Sequence, residues 1–219
     1  MKIIFRSFLL ILIFSPIIFG QSILFKNGQS GISLGYSNSS NNYSKSNGIG
    51  LIYSTSVNID IGISYSKFSS FDNYLQGNSL VPNVSFVFRN NNNLGVLSLS
   101  IGYLINRTEE KTTDYLLKEH IYETKLSGLV VGGSATVVIF KNEFIALMPS
   151  LGISYSFIST NRSNNLVKIS SKSMTAQMVF RYLGNGIGFY LSPAALVDLD
   201  AHVNAFSFGI SLGVSYVLP

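Results

Sequence analysis

From Gly31 to the end of the chain, apolar side chains recur at every second position, the period of a strand with one apolar face and one polar face. Between Val57 and Ser66, Val57, Ile59, Ile61, Ile63 and Tyr65 share one face, and Asn58, Asp60, Gly62, Ser64 and Ser66 share the other. Ile145 to Phe157 alternates in the same way, with Ile145, Leu147, Leu151, Ile153, Tyr155 and Phe157 opposite Ala146, Met148, Ser150, Gly152, Ser154 and Ser156. The last segment sets Phe206, Phe208, Ile210, Leu212, Val214 and Tyr216 against Ser207, Gly209, Ser211, Gly213 and Ser215. Weaker runs around Leu34, Leu51, Val84, Leu99, Met178 and Phe189 bring the predicted total to about ten strands. Residues 122–140 break the rule. Tyr122, Leu126 and Val130 share a parity before Gly132-Gly133, and Ala135, Val137 and Ile139 share the other after it, which predicts a bulge at the glycine pair.

The contents of the polar face decide where such strands can live. A soluble sandwich turns its large apolar residues inward and its Lys, Arg, Asp and Glu outward. Here the polar face is mostly Ser, Gly and Asn, and only 11% of the chain is charged against 47% hydrophobic. An inverted arrangement fits better, with the apolar face toward lipid and the polar face toward a lumen. Hydrocarbon leaves no partner for an open sheet edge, so the sheet must close. The expected fold is an all-β, closed antiparallel up-and-down transmembrane β-barrel of about ten strands.

Connector lengths and aromatic positions point the same way. Long polar connectors at 37–47, 67–79, 106–119, 158–167 and 197–203 alternate with short ones at 56–58, 90–93, 141–143 and 184–186. That is the expectation for external loops and periplasmic turns. Tyr36, Tyr65, Tyr103, Tyr155, Phe157 and Phe206 fall at the long-connector ends of the apolar faces, whereas Tyr53, Phe88, Tyr182 and Tyr216 fall at the short-connector ends, predicting two aromatic girdles.

The N-terminus reads as a secretory signal. Lys2 and Arg6 precede the apolar run 8–14, a break follows at Ser15-Pro16, and small residues stand at Gly20 and Ser22. The run is too short to span a bilayer. The expected division is a signal peptide over 1–22, a short segment over 23–30 and the barrel over 31–219. Loss of Lys2 and Arg6 lowers the formal charge of +5 to about +3, too small a balance to argue for nucleic acid. Cys 0 excludes a lipid-anchored cysteine, a disulfide framework and thiolate metal ligation.

With these features the chain resembles the small, signal-bearing outer-membrane β-barrel proteins of Gram-negative bacteria, the outer membrane protein β-barrel domain group. The resemblance covers Gly31 to Pro219 and includes the terminal run Phe206-Ser-Phe-Gly-Ile-Ser-Leu-Gly-Val-Ser-Tyr216, although Leu218-Pro219 replace the usual terminal aromatic. It implies residence in the outer membrane, contact with its lipid and lipopolysaccharide, and handling by the barrel-assembly machinery through the last strand. Members of the group span structural, adhesive, pore-forming and enzymatic roles, so activity must be argued from sites.

Three sets of polar residues are candidates. By parity Asp60, Arg89 and Arg181 face the lumen near the short-turn end, and Glu123 and Lys125 are expected to form a similar inward set nearer the outside. Charges in a narrow lumen are paired because desolvation is costly, so these five are expected to tie strands together, with an ion-admitting constriction as the alternative. Asp198, Asp200 and His202 gather carboxylates and a histidine in the last external loop. Omptin proteases activate water with Asp pairs and an Asp-His couple at such a rim, but their pairs come from different loops. Arg107, Lys111 and Lys118 could meet lipopolysaccharide phosphates. The loop from Phe68 to Gly77 holds Phe68, Phe71, Tyr74 and Leu75 and is expected to fold over or meet a partner. The chain is thus expected to be a monomeric, non-enzymatic envelope protein with no cofactor and no metal, acting through its external loops. A narrow porin-like channel is the first alternative and a rim hydrolase the second.

Overall fold

The computed structural model of the chain describes residues 25, 28–89, 95–113, 119–142, 144–162, 165–200 and 206–219. The predicted signal peptide lies outside them. Eleven strands follow one another: β1 (Gly31–Ser40), β2 (Ser44–Ser54), β3 (Ile59–Ser70), β4 (Leu75–Arg89), β5 (Gly95–Thr113), β6 (Glu119–Val137), β7 (Phe140–Lys141), β8 (Ile145–Arg162), β9 (Asn165–Gly184), β10 (Ile187–Asp198) and β11 (Phe206–Val217). Each pairs antiparallel with its neighbour, β1 pairs with β11, and β6 pairs with β8 past the two-residue β7. The ring is therefore closed and has ten staves.

The register fixes its shape. A row of cross-strand partners runs Gly31, Ser54, Asp60, Ser85, Ser100, Gly132, Ser154, Ser173, Asp198. Ala195, three residues before Asp198, connects through Phe208 to Ser40, so the row returns to β1 about 12 residues above its start. A stagger of about 12 residues at ~3.3 Å, against ten spacings of ~4.8 Å, tilts the strands by about 40°. The same numbers give a backbone radius of about 10 Å.

The apolar face looks outward. Ile61, Leu151 and Leu212 are 51%, 61% and 50% exposed, while Ser33 and Ser215 are 0% and 2% exposed. Both girdles form, with Tyr155 beside Phe157 on the outer side and Tyr182 between Phe144 and Phe189 on the other. The β9–β10 connection is the two-residue turn Asn185-Gly186, both at positive φ, which matches the twist of a tight hairpin. Where β6 and β8 approach, a Cβ at Gly128 would stand 2.0 Å from the Phe157 carbonyl oxygen, so that crossing requires glycine.

Two expectations are corrected. Most of the predicted long connectors are strand. β1 and β2 are joined only by 41–43, and β3 and β4 only by 71–74. Above the apolar belt the outward face turns polar while inward residues such as Phe68, Leu75 and Ile158 stay buried, so the ladder continues after the hydrophobic alternation has stopped. Nor is there a bulge at Gly132-Gly133, because β5 and β6 pair in unbroken register from Gly95↔Val137 to Thr113↔Glu119. Leu126 and Val130 consequently face inward and are buried, and Leu129 faces lipid.

Candidate functional site

The lumen is built from three kinds of side chain. Its middle carries hydroxyl pairs that bridge adjacent strands: Ser66–Ser79 at 2.7 Å, Ser98–Ser134 at 2.7 Å, Thr136–Ser150 at 2.8 Å, Ser154–Ser173 at 2.6 Å and Ser156–Ser171 at 2.9 Å. The Ser and Thr residues of the inner face thus close on each other as cross-strand hydrogen bonds.

Alongside the outermost of these pairs, Val81, Leu104, Leu126, Val130 and Ile158 from four adjacent staves form one buried apolar cluster. At the periplasmic mouth a second cluster unites Ala146, Met148, Val179 and Tyr190 with Phe25, which precedes the first strand. Phe25 is 3% exposed, and its ring lies where a Cβ on Gly31 would be. No alternation announces a lone Phe in a segment outside the strands. Its apolar character six residues before β1 is the only signal the sequence offers.

The charged residues divide. Asp60 is buried beside its cross-strand partner Ser54 and within electrostatic reach of Arg89, whose Nη1 donates to the Asn58 Oδ1 in the β2–β3 turn. Arg181 faces the lumen at the same end but half the ring away, flanked by Tyr190 and Ala146. The turn end therefore holds an Asp60–Arg89–Asn58 group on one wall and Arg181 on the other. Glu123 and Lys125 are not in the lumen. Unbroken register gives them the parity of Leu129, and they lie on the outer face with exposed side chains. There Arg107 Nη2 donates to Glu123 Oε2 at 2.8 Å, and Lys125 stands 3.6 Å from Glu123.

At the rim, Asp198 ends β10 on the inward face, is buried, and accepts the backbone N–H of Asp200 at 3.0 Å. Asp200 is exposed, and His202 lies outside the described residues. Lys118 lies outside them as well. Phe68 and Leu75 do not form a loop lid. They are strand residues buried inside the barrel top, while Phe71 and Tyr74 at the tip are exposed. Among the described residues no three His, Asp or Glu side chains gather to hold a metal.

No protein-family model matches the chain. No curated protein matches it either. Solved structures do. The translocator domain of the autotransporter NalP from Neisseria meningitidis is similar at a TM-score of 0.58 and 11% identity, over 88% of this chain and 90% of that one. The β domain of the Bordetella autotransporter BrkA is similar at 0.58 and 10% identity, over 87% and 99%. The chain is a ten-stranded barrel of the outer-membrane type. The shared fold together with the apolar exterior places it in the bacterial outer membrane. The outer-membrane protease OmpT from Escherichia coli also matches, at 11% identity over 87% of this chain and 96% of that one, but its TM-score of 0.40 carries no argument about activity.

Proposed function

We propose that this barrel is a non-enzymatic envelope protein, a structural and surface-interaction element that acts through its external end and not through its lumen. One observation carries the reading. Apolar side chains line the lumen at two levels, the outer cluster around Leu104 on four adjacent staves and the periplasmic cluster around Phe25, with the hydrogen-bonded Ser98–Ser134 pair between them. A ring of about ten staves is near the size that side chains can fill, far from the 16 to 18 strands of wide aqueous channels. The wall meanwhile rises above the apolar belt, where β5 and β6 run paired to Thr113 and Glu119 and carry Arg107, Glu109, Glu123 and Lys125 outside. In this reading Asp198 shapes a turn instead of activating water, since one of its oxygens is committed to the Asp200 N–H. The last strand is the segment offered to the assembly machinery, and the chain works as a monomer.

Planar-bilayer recording on the purified protein tests the proposal. Flat current traces under conditions in which a general porin shows steps are expected. Reproducible conductance steps altered by Arg89→Ala would instead establish the narrow channel. Hydrolysis of peptide or ester substrates that disappears in Asp200→Ala or His202→Ala would establish the hydrolase.

A further inference from the structure

On the outward face of β1–β5 the change from apolar to polar takes one step on every strand: Tyr36 to Asn38, Ile49 to Asn47, Tyr65 to Lys67, Leu80 to Asn78 and Ile105 to Arg107. The register makes the polar members neighbours in one row, Asn38, Asn47, Lys67, Asn78, Arg107, continuing to Lys125. The next row outward holds Lys45, Ser69, Gln76 and Glu109. Between these rows lies an open cavity of ≈ 400 Å³ walled by Lys45, Lys67 and Arg107 with Asn47, Asn78 and Glu109. That volume is within the ~300–1,000 Å³ of ordinary ligand sites.

We infer that this cavity holds the phosphate of a phosphorylated glycolipid head group in the outer leaflet. Three cations face one carboxylate across it. Among the described residues no carboxylate lies within 4.0 Å of Lys45 or Lys67. Arg107 commits Nη2 to Glu123 and keeps its other N–H donors. Asn47 accepts Tyr36 Oη at 3.0 Å and Asn38 Nδ2 at 2.7 Å on its single oxygen, so what it has left to offer a ligand is its N–H groups. Gln76 donates to Glu109 at 3.2 Å, which draws that carboxylate partly out of play. An ensemble of ammonium, guanidinium and amide donors is the chemistry that recognises a phosphate. Depth selects the lipid as its source: Tyr65 and Ile105 stand immediately below Lys67 and Arg107, so an anion in the cavity sits at head-group level with acyl chains against the apolar row.

The test uses the full protein in nanodiscs, with retained lipid read by native mass spectrometry against diphosphorylated lipid A, the same lipid stripped of phosphate, and inorganic phosphate as competitor. Preferential retention of the phosphorylated lipid is expected, falling roughly fivefold with each of Lys67→Gln and Arg107→Gln and rising by a similar factor with Glu109→Gln. A gain on removing Glu109 is not what a merely structural role would give. Equal retention of the two lipids, or no change across these three variants, would overturn the inference. Displacement of the lipid by inorganic phosphate at equal concentration would overturn the lipid as the source. If Arg107→Gln fails to assemble because Glu123 loses its hydrogen bond from Arg107, Lys67→Gln, exposed and with no carboxylate within 4.0 Å among the described residues, decides the question alone.

Discussion

Serine is poor at filling space and good at pairing, and the inner wall of this barrel depends on the second property. Ser66 and Ser79 are 3% and 2% exposed, lie opposite each other on β3 and β4, and share a hydrogen bond of 2.7 Å. Their contribution is asymmetric. Removing one hydroxyl leaves the other buried without its partner and costs the desolvation of that group, about 1–3 kcal/mol, whereas removing both discards the pair and its burial cost together. Ser66→Ala and Ser79→Ala are therefore each expected to lower unfolding free energy by about 1–2 kcal/mol. The double variant should lose clearly less than the sum, giving a favourable coupling in a urea-denaturation cycle on the folded barrel. Strict additivity would show that the pair is an accident of packing. The pairing was not legible in the sequence. Alternation located each serine on the inner face, but which serine meets which depends on register, and register is fixed only when all ten staves close.

Single strands were legible wherever one face is apolar and the other is not. Within the alternating runs 59–65 of β3, 145–157 of β8 and 206–216 of β11, every apolar residue that alternation assigned to the outer face lies there, because a one-residue slip would turn the whole apolar set into the lumen. β6 was not legible for the converse reason. It carries apolar residues on both faces, Leu126 and Val130 inward and Leu129 outward, and local pattern alone cannot rank them. The ladder on both sides of the strand settles the matter. A bulge at Gly132-Gly133 would break pairing with β5 or with β8, and unmade backbone hydrogen bonds in hydrocarbon are more expensive than burying two apolar side chains in a lumen that needs filling. The same register moved Glu123 and Lys125 from the lumen to the outside. Site-directed labelling reads this directly. A fluorophore at Leu129→Cys should be quenched by a quencher dissolved in the acyl chains, while fluorophores at Leu126→Cys and Val130→Cys should be protected. The reverse pattern would restore the bulge.

For the molecule as a whole, ten staves, a stagger of about 12 residues and a radius of about 10 Å leave an interior that side chains from opposite walls can nearly bridge. This one carries apolar clusters at two levels in series. The outer level is wall-borne, because Val81, Leu104, Leu126, Val130 and Ile158 all belong to strands. The inner level depends on Phe25, whose chain is not part of the wall. Resistances in series are set by the larger one, so relieving one level should leave the pathway blocked at the other. Phe25→Ala alone, and Leu104→Ala combined with Leu126→Ala alone, are each expected to give bilayer traces close to the parent protein. The triple variant should conduct, and its ion selectivity should respond to Arg89 and Asp60, the charges on the wall facing the inner cluster. The outer substitutions remove two buried leucines, each worth about 2–5 kcal/mol, so folding of that variant must be confirmed by protease protection in vesicles before its traces are read. If Phe25→Ala alone opened the barrel, the outer cluster would not be a seal, and the lumen would be a channel held shut by its own N-terminal segment.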